Sequence, residues 1–350
     1  MEASMTGATE GSGKTRIWVL SFICILSLMI MVSLSMGFLS IPMKDMLSVI
    51  ASKINGSLPD IAMAETYAAV IFDVRLPRIL TCAAVGAALS VSGVLFQGIL
   101  LNPLADPYTL GVSAGAAFGA SIAILLNLSA TYVSIPLFAF MGAGATLFFV
   151  VFLSWSPRQR SGGLSSNNLI LSGIIVAAIL SAGISFLKFI ANEQVSVIIF
   201  WLMGSFASKT WANFWVVLAF LIFGFSIALY YARDLNLISL GDRSAASLGV
   251  NLKKVTIILL VTGSMLAAVC VSISGIIGFV GLLVPHMVRF ITGPDNRRLL
   301  PVSLLAGAVL LLVADTITRA VLPNEIPIGI LTALTGGPVF CWIFKQSRMS

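Results

Sequence analysis

The stretch RLPRILTCAAVGAALSVSGVLFQGILLNPLADP, residues 75–107, sets the terms for the whole chain. It opens with Arg75 and Arg78 around Pro77, runs mostly apolar to Leu100, and closes on Asn102-Pro103 and Asp106-Pro107. A helix needs about 20 apolar residues to cross the hydrocarbon core of a bilayer, and residues 77–100 supply them. Pro77 is expected in the first helical turn, where its missing N–H would be unpaired anyway. The residue before a proline is biased away from helical geometry, so the Asn-Pro and Asp-Pro steps predict a sharp turn into the next span. Ala83, Ala84, Gly86, Ala87, Ala88, Ser90 and Gly93 fill the middle of the run. Small residues let helix backbones approach closely, which is how helices associate in lipid.

The rest of the chain has the same character. Its 350 residues are 59% hydrophobic and 9% charged, with a mean hydropathy of +1.06, whereas a soluble domain carries about 25% charged residues. The bilayer must therefore be the solvent. Apolar runs separated by polar or Pro/Gly-rich breaks predict ten spans, at 17–39, 77–100, 108–127, 135–154, 168–190, 211–231, 254–273, 276–291, 301–320 and 326–344. The expectation is an all-α integral membrane protein with a short cytoplasmic tail (1–16) and a single membrane domain (17–350). The first run follows Lys14 and Arg16, is too long for a signal-peptide core and lacks a small-x-small site after it, so it is expected to remain as an uncleaved helix. The apolar segment 193–207 is short and is expected at the interface or folded into the outer mouth. The eighth run contains Gly278, Gly281 and Pro285. It is expected to be bent or half-length, which lipid allows only where protein or a cavity surrounds it.

A net charge of +7 invites a nucleic-acid reading, but the basic residues are scattered among loops rather than clustered. With ten spans and the N-terminus inside, thirteen fall on the inner side: Lys14, Arg16, Arg158, Arg160, Arg233, Arg243, Lys253, Lys254, Arg289, Arg297, Arg298, Lys345 and Arg348. Seven fall outside: Lys44, Lys53, Arg75, Arg78, Lys188, Lys209 and Arg319. Basic residues concentrate in cytoplasmic loops, so both termini are expected in the cytoplasm, with lipid rather than nucleic acid as the surrounding partner.

Catalytic chemistry finds little to work with. Gly11-Ser12-Gly13-Lys14-Thr15 looks like the end of a phosphate-binding loop, but Ala8 stands where the pattern needs its first glycine, and a membrane helix follows instead of an α/β domain. Cys24, Cys82, Cys270 and Cys341 all lie in apolar runs without metal-type spacing, and His286 is the single histidine. Packing or capping is the expected role of that imidazole. No cofactor and no metal site are expected. Asp315 is the one carboxylate well inside a span. At a helix centre it would cost about 2.5–3.5 kcal/mol, so it demands a partner, either as a proton site in an ion-coupled carrier or as a structural acceptor.

Several local sequences, in one order, choose between these classes. After residues 75–107 come Leu110-Gly111-Val112-Ser113-Ala114-Gly115-Ala116, then Leu240-Gly241-Asp242, Ala245-Ala246 and Leu248-Gly249-Val250. Gly278-Phe279-Val280-Gly281-Leu282-Leu283-Val284-Pro285-His286 follows, with Arg289, Ala314-Asp315, Arg319, Ile326-Pro327-Ile328-Gly329 and Gly336-Gly337-Pro338 behind it. From about residue 17 to the C-terminus this series resembles the FecCD-type permeases of bacterial ABC importers for ferric siderophores, haem and cobalamin. Two departures stand out: Leu101 sits where the family often has arginine, and Gly337 replaces a common alanine.

The resemblance implies a type II ABC importer permease fold in the bacterial cytoplasmic membrane. Two permease copies, identical or paralogous, would form the path for a metal chelate, with a ferric siderophore as the expected cargo and haem or cobalamin as alternatives. Two separate ATPase subunits would sit beneath and a substrate-binding protein would dock outside, so the chain itself is not expected to be an enzyme. Arg75, Arg78 and Arg319 would receive acidic side chains of the binding protein. Ser166 and Asn167 would fall at the cytoplasmic gate. The polar segment 234–251, which reads as two short helices broken near Gly241 and Gly249, would couple to the ATPase through Leu240, Gly241, Asp242, Ala245, Leu248 and Gly249.

Overall fold

A computed structural model describes residues 2–37, 39, 41–55, 63–128, 133–155, 164–320 and 325–347. Arg158, Arg160 and Arg348, three of the basic residues assigned to the inner side, lie outside the described residues. The described chain folds as α1 (Glu2–Ser35), α2 (Met43–Asn55), α3 (Ala64–Ala69), α4 (Leu76–Ile99), α5 (Val112–Leu125), α6 (Ser134–Ser154), α7 (Ser166–Ile190) and α8 (Val195–Leu202). It continues as α9 (Trp211–Tyr230), α10 (Ala232–Ile238), α11 (Asp242–Ser247), α12 (Leu252–Ser274), α13 (Val280–Thr292), α14 (Asn296–Ala320) and α15 (Ile328–Ser347). Among the described residues, seven helices are long and apolar enough to cross a membrane, and three shorter apolar helices complete the ten-span pattern. Residues 11–15 lie within α1, so the phosphate-loop look-alike has helical backbone and no loop.

The fold is organised around α4, which is buried along nearly its whole length against α9, α12, α13 and α14. The small residues make this possible. A Cβ at Gly86 would lie 2.3 Å from the carbonyl oxygen of Gly307 in α14, and one at Gly93 would lie 1.8 Å from that of Gly281 in α13. Gly281 is four residues before Pro285, so its carbonyl has no helical donor. Gly93 gives that oxygen room.

The start of α4 differs from the expectation. Pro77 does lie in the first turn of α4, but that helix has no free start, because α3 and a π-helical stretch, Val70–Arg75, run straight into it. The proline explains the irregularity. Leu76 N–H pairs five residues back with Ile71, and the next donor in that pattern would be Pro77, which has none. The orphaned Phe72 carbonyl instead accepts a hydrogen bond from Trp211 Nε1 of α9 at 3.1 Å.

The expected break in the eighth run is present and takes the half-length form. α12 ends at Gly275 (φ +73°), the chain runs irregularly to Phe279 (φ +68°), and the 13-residue α13 begins. Its loose carbonyls are taken up in turn: Ser274 O accepts from Ser205 N at 2.8 Å and Ile277 O from Tyr108 Oη at 2.8 Å. Within the first turn of α13, Leu282 O also accepts from Gln97 Nε2 of α4 at 3.1 Å. The short segment expected at 193–207 contains α8. The amphipathic α2 was not foreseen; it buries Met46 and Val49 and leaves Lys44 exposed.

Replacing Gly93 by alanine should therefore lower stability by about 1–3 kcal/mol through overpacking. Gly144 has no atom within 4 Å of a built Cβ, so Gly144→Ala should be neutral or slightly stabilising. Thermal unfolding of the two detergent-solubilised variants against the parent protein checks the contrast.

Candidate functional site

The two ends of α4 carry different chemistry. At its first end, Arg75, Arg78 and Arg319 are brought together around a cavity of about 260 Å³ that Gly37, Leu39, Val70, Val74 and Glu325 also line. They are far from equivalent. Arg75 is buried and spends its guanidinium on backbone: Nη1 donates to the carbonyls of Leu34 and Ser35, and Nη2 to that of Leu39. This ties the end of α1 to the root of α4. Arg319 does the same from α14, donating Nη1 to Met36 O at 2.7 Å and Nη2 to the carbonyl and hydroxyl of Ser33.

Arg78 is the one held by carboxylates. Its Nε lies 3.2 Å from each carboxylate oxygen of Asp315, and Nη2 donates to Oδ1 at 2.7 Å. Nη2 also donates to Glu325 Oε1 at 2.6 Å. Asp315 has a side chain only 1% exposed, and its Oδ2 also faces Arg319 Nε at 3.4 Å, one helical turn away. Of the two roles open to this residue, its two guanidinium partners fit the structural acceptor. Such pairing is what makes a carboxylate tolerable near hydrocarbon.

Three arginines against two carboxylates leave one positive charge in excess. Lys209, in the turn before α9, adds another. Burial, and then repulsion from Arg78, lower its ammonium to about 8. The cavity end is therefore cationic at neutral pH and loses part of that charge as pH rises through about 8.

The opposite end of α4 gathers the other two sets of expected residues. Ser166 and Asn167, at the start of α7, line a cavity of about 250 Å³ with Leu101, Ile238, Asp242, Leu252 and Thr256. The cap of α7 is Ser165, whose hydroxyl accepts from Asn168 N–H at 3.3 Å. Ser166 and Asn167 follow the cap as the first helical residues and do not themselves form it. The cavity puts the expected gate beside the expected coupling segment.

That segment forms two short helices, α10 and α11, broken at Gly241 (φ +99°) and ended at Gly249 (φ +88°), as its sequence predicts. No atom lies within 4 Å of a Cβ built on either glycine, so backbone conformation rather than crowding requires them. α10 is the anchored half. Leu235 packs on Gly98 of α4, while Asn236 bonds to Asp295 at 2.7 Å and to Asn296 at 2.8–2.9 Å, at the start of α14. α11 is the free half: Ala245 is buried beneath it, and Leu240 and Leu248 stand exposed on either side.

His286 stacks edge-on against Phe290 at 5.2 Å, a packing contact. No group of three or more His, Cys, Asp or Glu residues that could hold a metal ion occurs among the described residues. Sequence reasoning missed Glu325, Lys209 and the Asn236–Asp295–Asn296 tie. The spacing of Asp315 and Arg319 could have suggested their contact, but Arg78 is 237 residues from Asp315 and no local signal joins them.

Comparison with known proteins bears on this geometry. A family model described as the FecCD transport family matches residues 25–346. The chain is 41% identical over 284 residues to the molybdate import system permease protein MolB of Haemophilus influenzae, covering 80% of this chain and 82% of that protein. It is 35% identical over 319 residues to the Fe(3+) dicitrate transport system permease protein FecD of Escherichia coli, covering 91% and 95% respectively. A solved inward-facing structure of an ABC transporter assigned to the metal-chelate type superposes with a TM-score of 0.81 at 34% identity, covering 94% of this chain and 98% of that one.

Replacing Asp315 by asparagine should cost about 3–5 kcal/mol, because two guanidinium groups lose their shared carboxylate in a buried setting. Glu325→Gln, at an exposed pair, should cost at most about 1 kcal/mol. Thermal unfolding of both variants in detergent measures the difference.

Proposed function

The chain belongs to the FecCD transport family, and from that membership we propose that it is the permease subunit of a bacterial ABC importer for metal chelates. One observation carries the reading: α4 joins a cationic cavity at one end to a small-helix platform with exposed leucines at the other. An importer needs a docking face for its binding protein on one side and a contact for its ATPase on the other. The distribution of basic residues supports α10 and α11 facing the cytoplasm, with both termini on that side.

In this reading the cavity end faces outward and accepts acidic side chains of the binding protein. Arg78 is the arginine best placed for it, since Arg75 and Arg319 are largely committed to backbone carbonyls. Its planar fork suits a carboxylate and stays charged at any relevant pH. At the inner end Leu240, Asp242 and Leu248 meet the ATPase, while Gly241 and Gly249 shape the platform and Ala245 seats it. Ser166 and Asn167 close the path against a second permease copy, identical or paralogous. ATP is hydrolysed on the separate ATPase subunits.

The proposed cargo is a ferric siderophore, the largest cargo class of the family the chain resembles. Relatives named for molybdate and for ferric dicitrate, at 41% and 35% identity, show how little overall identity constrains cargo. An ion-coupled carrier is disfavoured because Asp315 is engaged by two arginines.

Proteoliposomes holding the complete transporter should accumulate labelled ferric siderophore only with internal ATP and equally well with a protonophore present. Uptake without ATP, or its collapse with the protonophore, overturns the importer reading. Preferential uptake of haem or cobalamin reassigns the cargo alone. Gly249→Leu should lower coupled uptake while leaving the permease folded, because a side chain at φ +88° strains the platform by about 1 kcal/mol or more; uptake and ATP hydrolysis measured together check it. Arg78→Glu should weaken docking of the binding protein by roughly tenfold or more, as read by surface plasmon resonance, and raised salt should weaken docking of the parent protein.

A further inference from the structure

The arginine cavity already holds a carboxylate at its mouth. The two acids on Arg78 differ in kind: Asp315 grips Nε and Nη2 from within and is 1% exposed, whereas Glu325 reaches Nη2 from the rim and is 42% exposed. Nη1 of Arg78 has no acceptor among the described residues, so one edge of the fork remains open.

Glu325 is positioned by the backbone that follows it. Ile328 N–H donates to Gly204 O at 3.2 Å, and Gly329 N–H to Met203 O at 3.0 Å, fastening the start of α15 to the turn that also carries Lys209. Arg78 is thus reached by an acid from a fastened segment at the cavity mouth. An incoming carboxylate that grips the open edge bidentately would need Nη1 and Nη2 together, and Glu325 occupies Nη2.

We propose that Glu325 is an internal stand-in for the docking carboxylate, holding Arg78 at the cavity mouth in the free transporter and yielding that place when an acidic side chain of the binding protein arrives. The inference rests on the docking role proposed above for Arg78. The chemistry favours exchange at this one contact. Asp315 is buried and shared with Arg319, so it keeps the guanidinium oriented while the outer acid is replaced. Glu325 is open to water, where an ion pair gains little and is readily given up. Exchanging one carboxylate for another leaves no cation stranded. The stand-in also offsets the repulsion among Arg75, Arg78 and Arg319 while the cavity is empty.

Competition sets the sign of the test. Removing the internal acid should strengthen docking, the opposite of what loss of a structural contact or of a direct docking residue would do. With the complete transporter in lipid nanodiscs and the binding protein encoded with it as probe, Glu325→Gln should lower Kd about two- to fivefold. Asp73→Asn, which makes the same charge change at an exposed residue of the π-helical stretch that forms no ion pair among the described residues, should shift Kd by less than about twofold. Glu325→Asp keeps the charge but shortens its reach by one methylene, so it should also tighten docking. A Glu325→Gln variant that docks no better than the parent, or no better than Asp73→Asn, overturns the stand-in. If Arg78→Glu loses docking while Glu325→Gln gains none, only the stand-in falls. If Arg78→Glu docks like the parent, the docking role falls and the stand-in with it.

Discussion

Hydrocarbon offers no hydrogen bonds, so each place where this chain leaves regular helix must find its partners inside the protein. The structure meets that constraint at each such place. Pro77 strands the Phe72 carbonyl, and Trp211 supplies the donor. The break between α12 and α13 exposes the carbonyls of Ser274 and Ile277, and Ser205 and Tyr108 answer them, while Gln97 of α4 bonds to Leu282 O in the first turn of α13. Pro285 frees the Gly281 carbonyl, and Gly93 leaves it space. Most of these contacts reach α4 or the turn that follows it. That is why α4 is rich in small residues and why it sits at the centre of the bundle.

Charge is handled by the same logic at the arginine cavity. A guanidinium near lipid is costly unless paired or bonded to backbone carbonyls. Arg75 and Arg319 take the second course and in doing so pin the end of α1 to α4 and α14. Arg78 takes the first, with Asp315 as its buried partner. The cluster is therefore at once a structural clasp and a reserve of positive charge. These two roles are compatible because different atoms serve them: the carbonyls and Asp315 hold the inner edges, and the cavity and Glu325 meet the outer one.

At the other end, anchoring and exposure are divided between two short helices. α10 is tied to α4 by Leu235 on Gly98, and to α14 through Asn236, Asp295 and Asn296. α11 presents Leu240 and Leu248 outward. A force applied to α11 would pass through α10 into the two helices that also carry Arg78, Asp315 and Arg319. Asp242 and Ile238 share a cavity with Ser166 and Asn167, so the start of α7 lies directly beside this platform.

The sequence alone determined what depends on neighbours along the chain. Apolar run lengths marked ten spans, prolines and glycines marked the half-length α13 and the pair α10 and α11, and small-residue spacing marked the tight faces of α4. Local chemistry was sufficient because hydrocarbon thickness and proline geometry act over a few turns. Ordered motifs also located the three arginines, Ser166, Asn167 and the platform residues as functional candidates. Tertiary structure decided how those charges are spent. Arg78 meets Asp315 across 237 residues and Glu325 across 247, and Trp211 finds the carbonyl left by Pro77 across 139. Such partners are chosen by which helix ends the packing brings together, and no period, cap or breaker in the sequence records that choice.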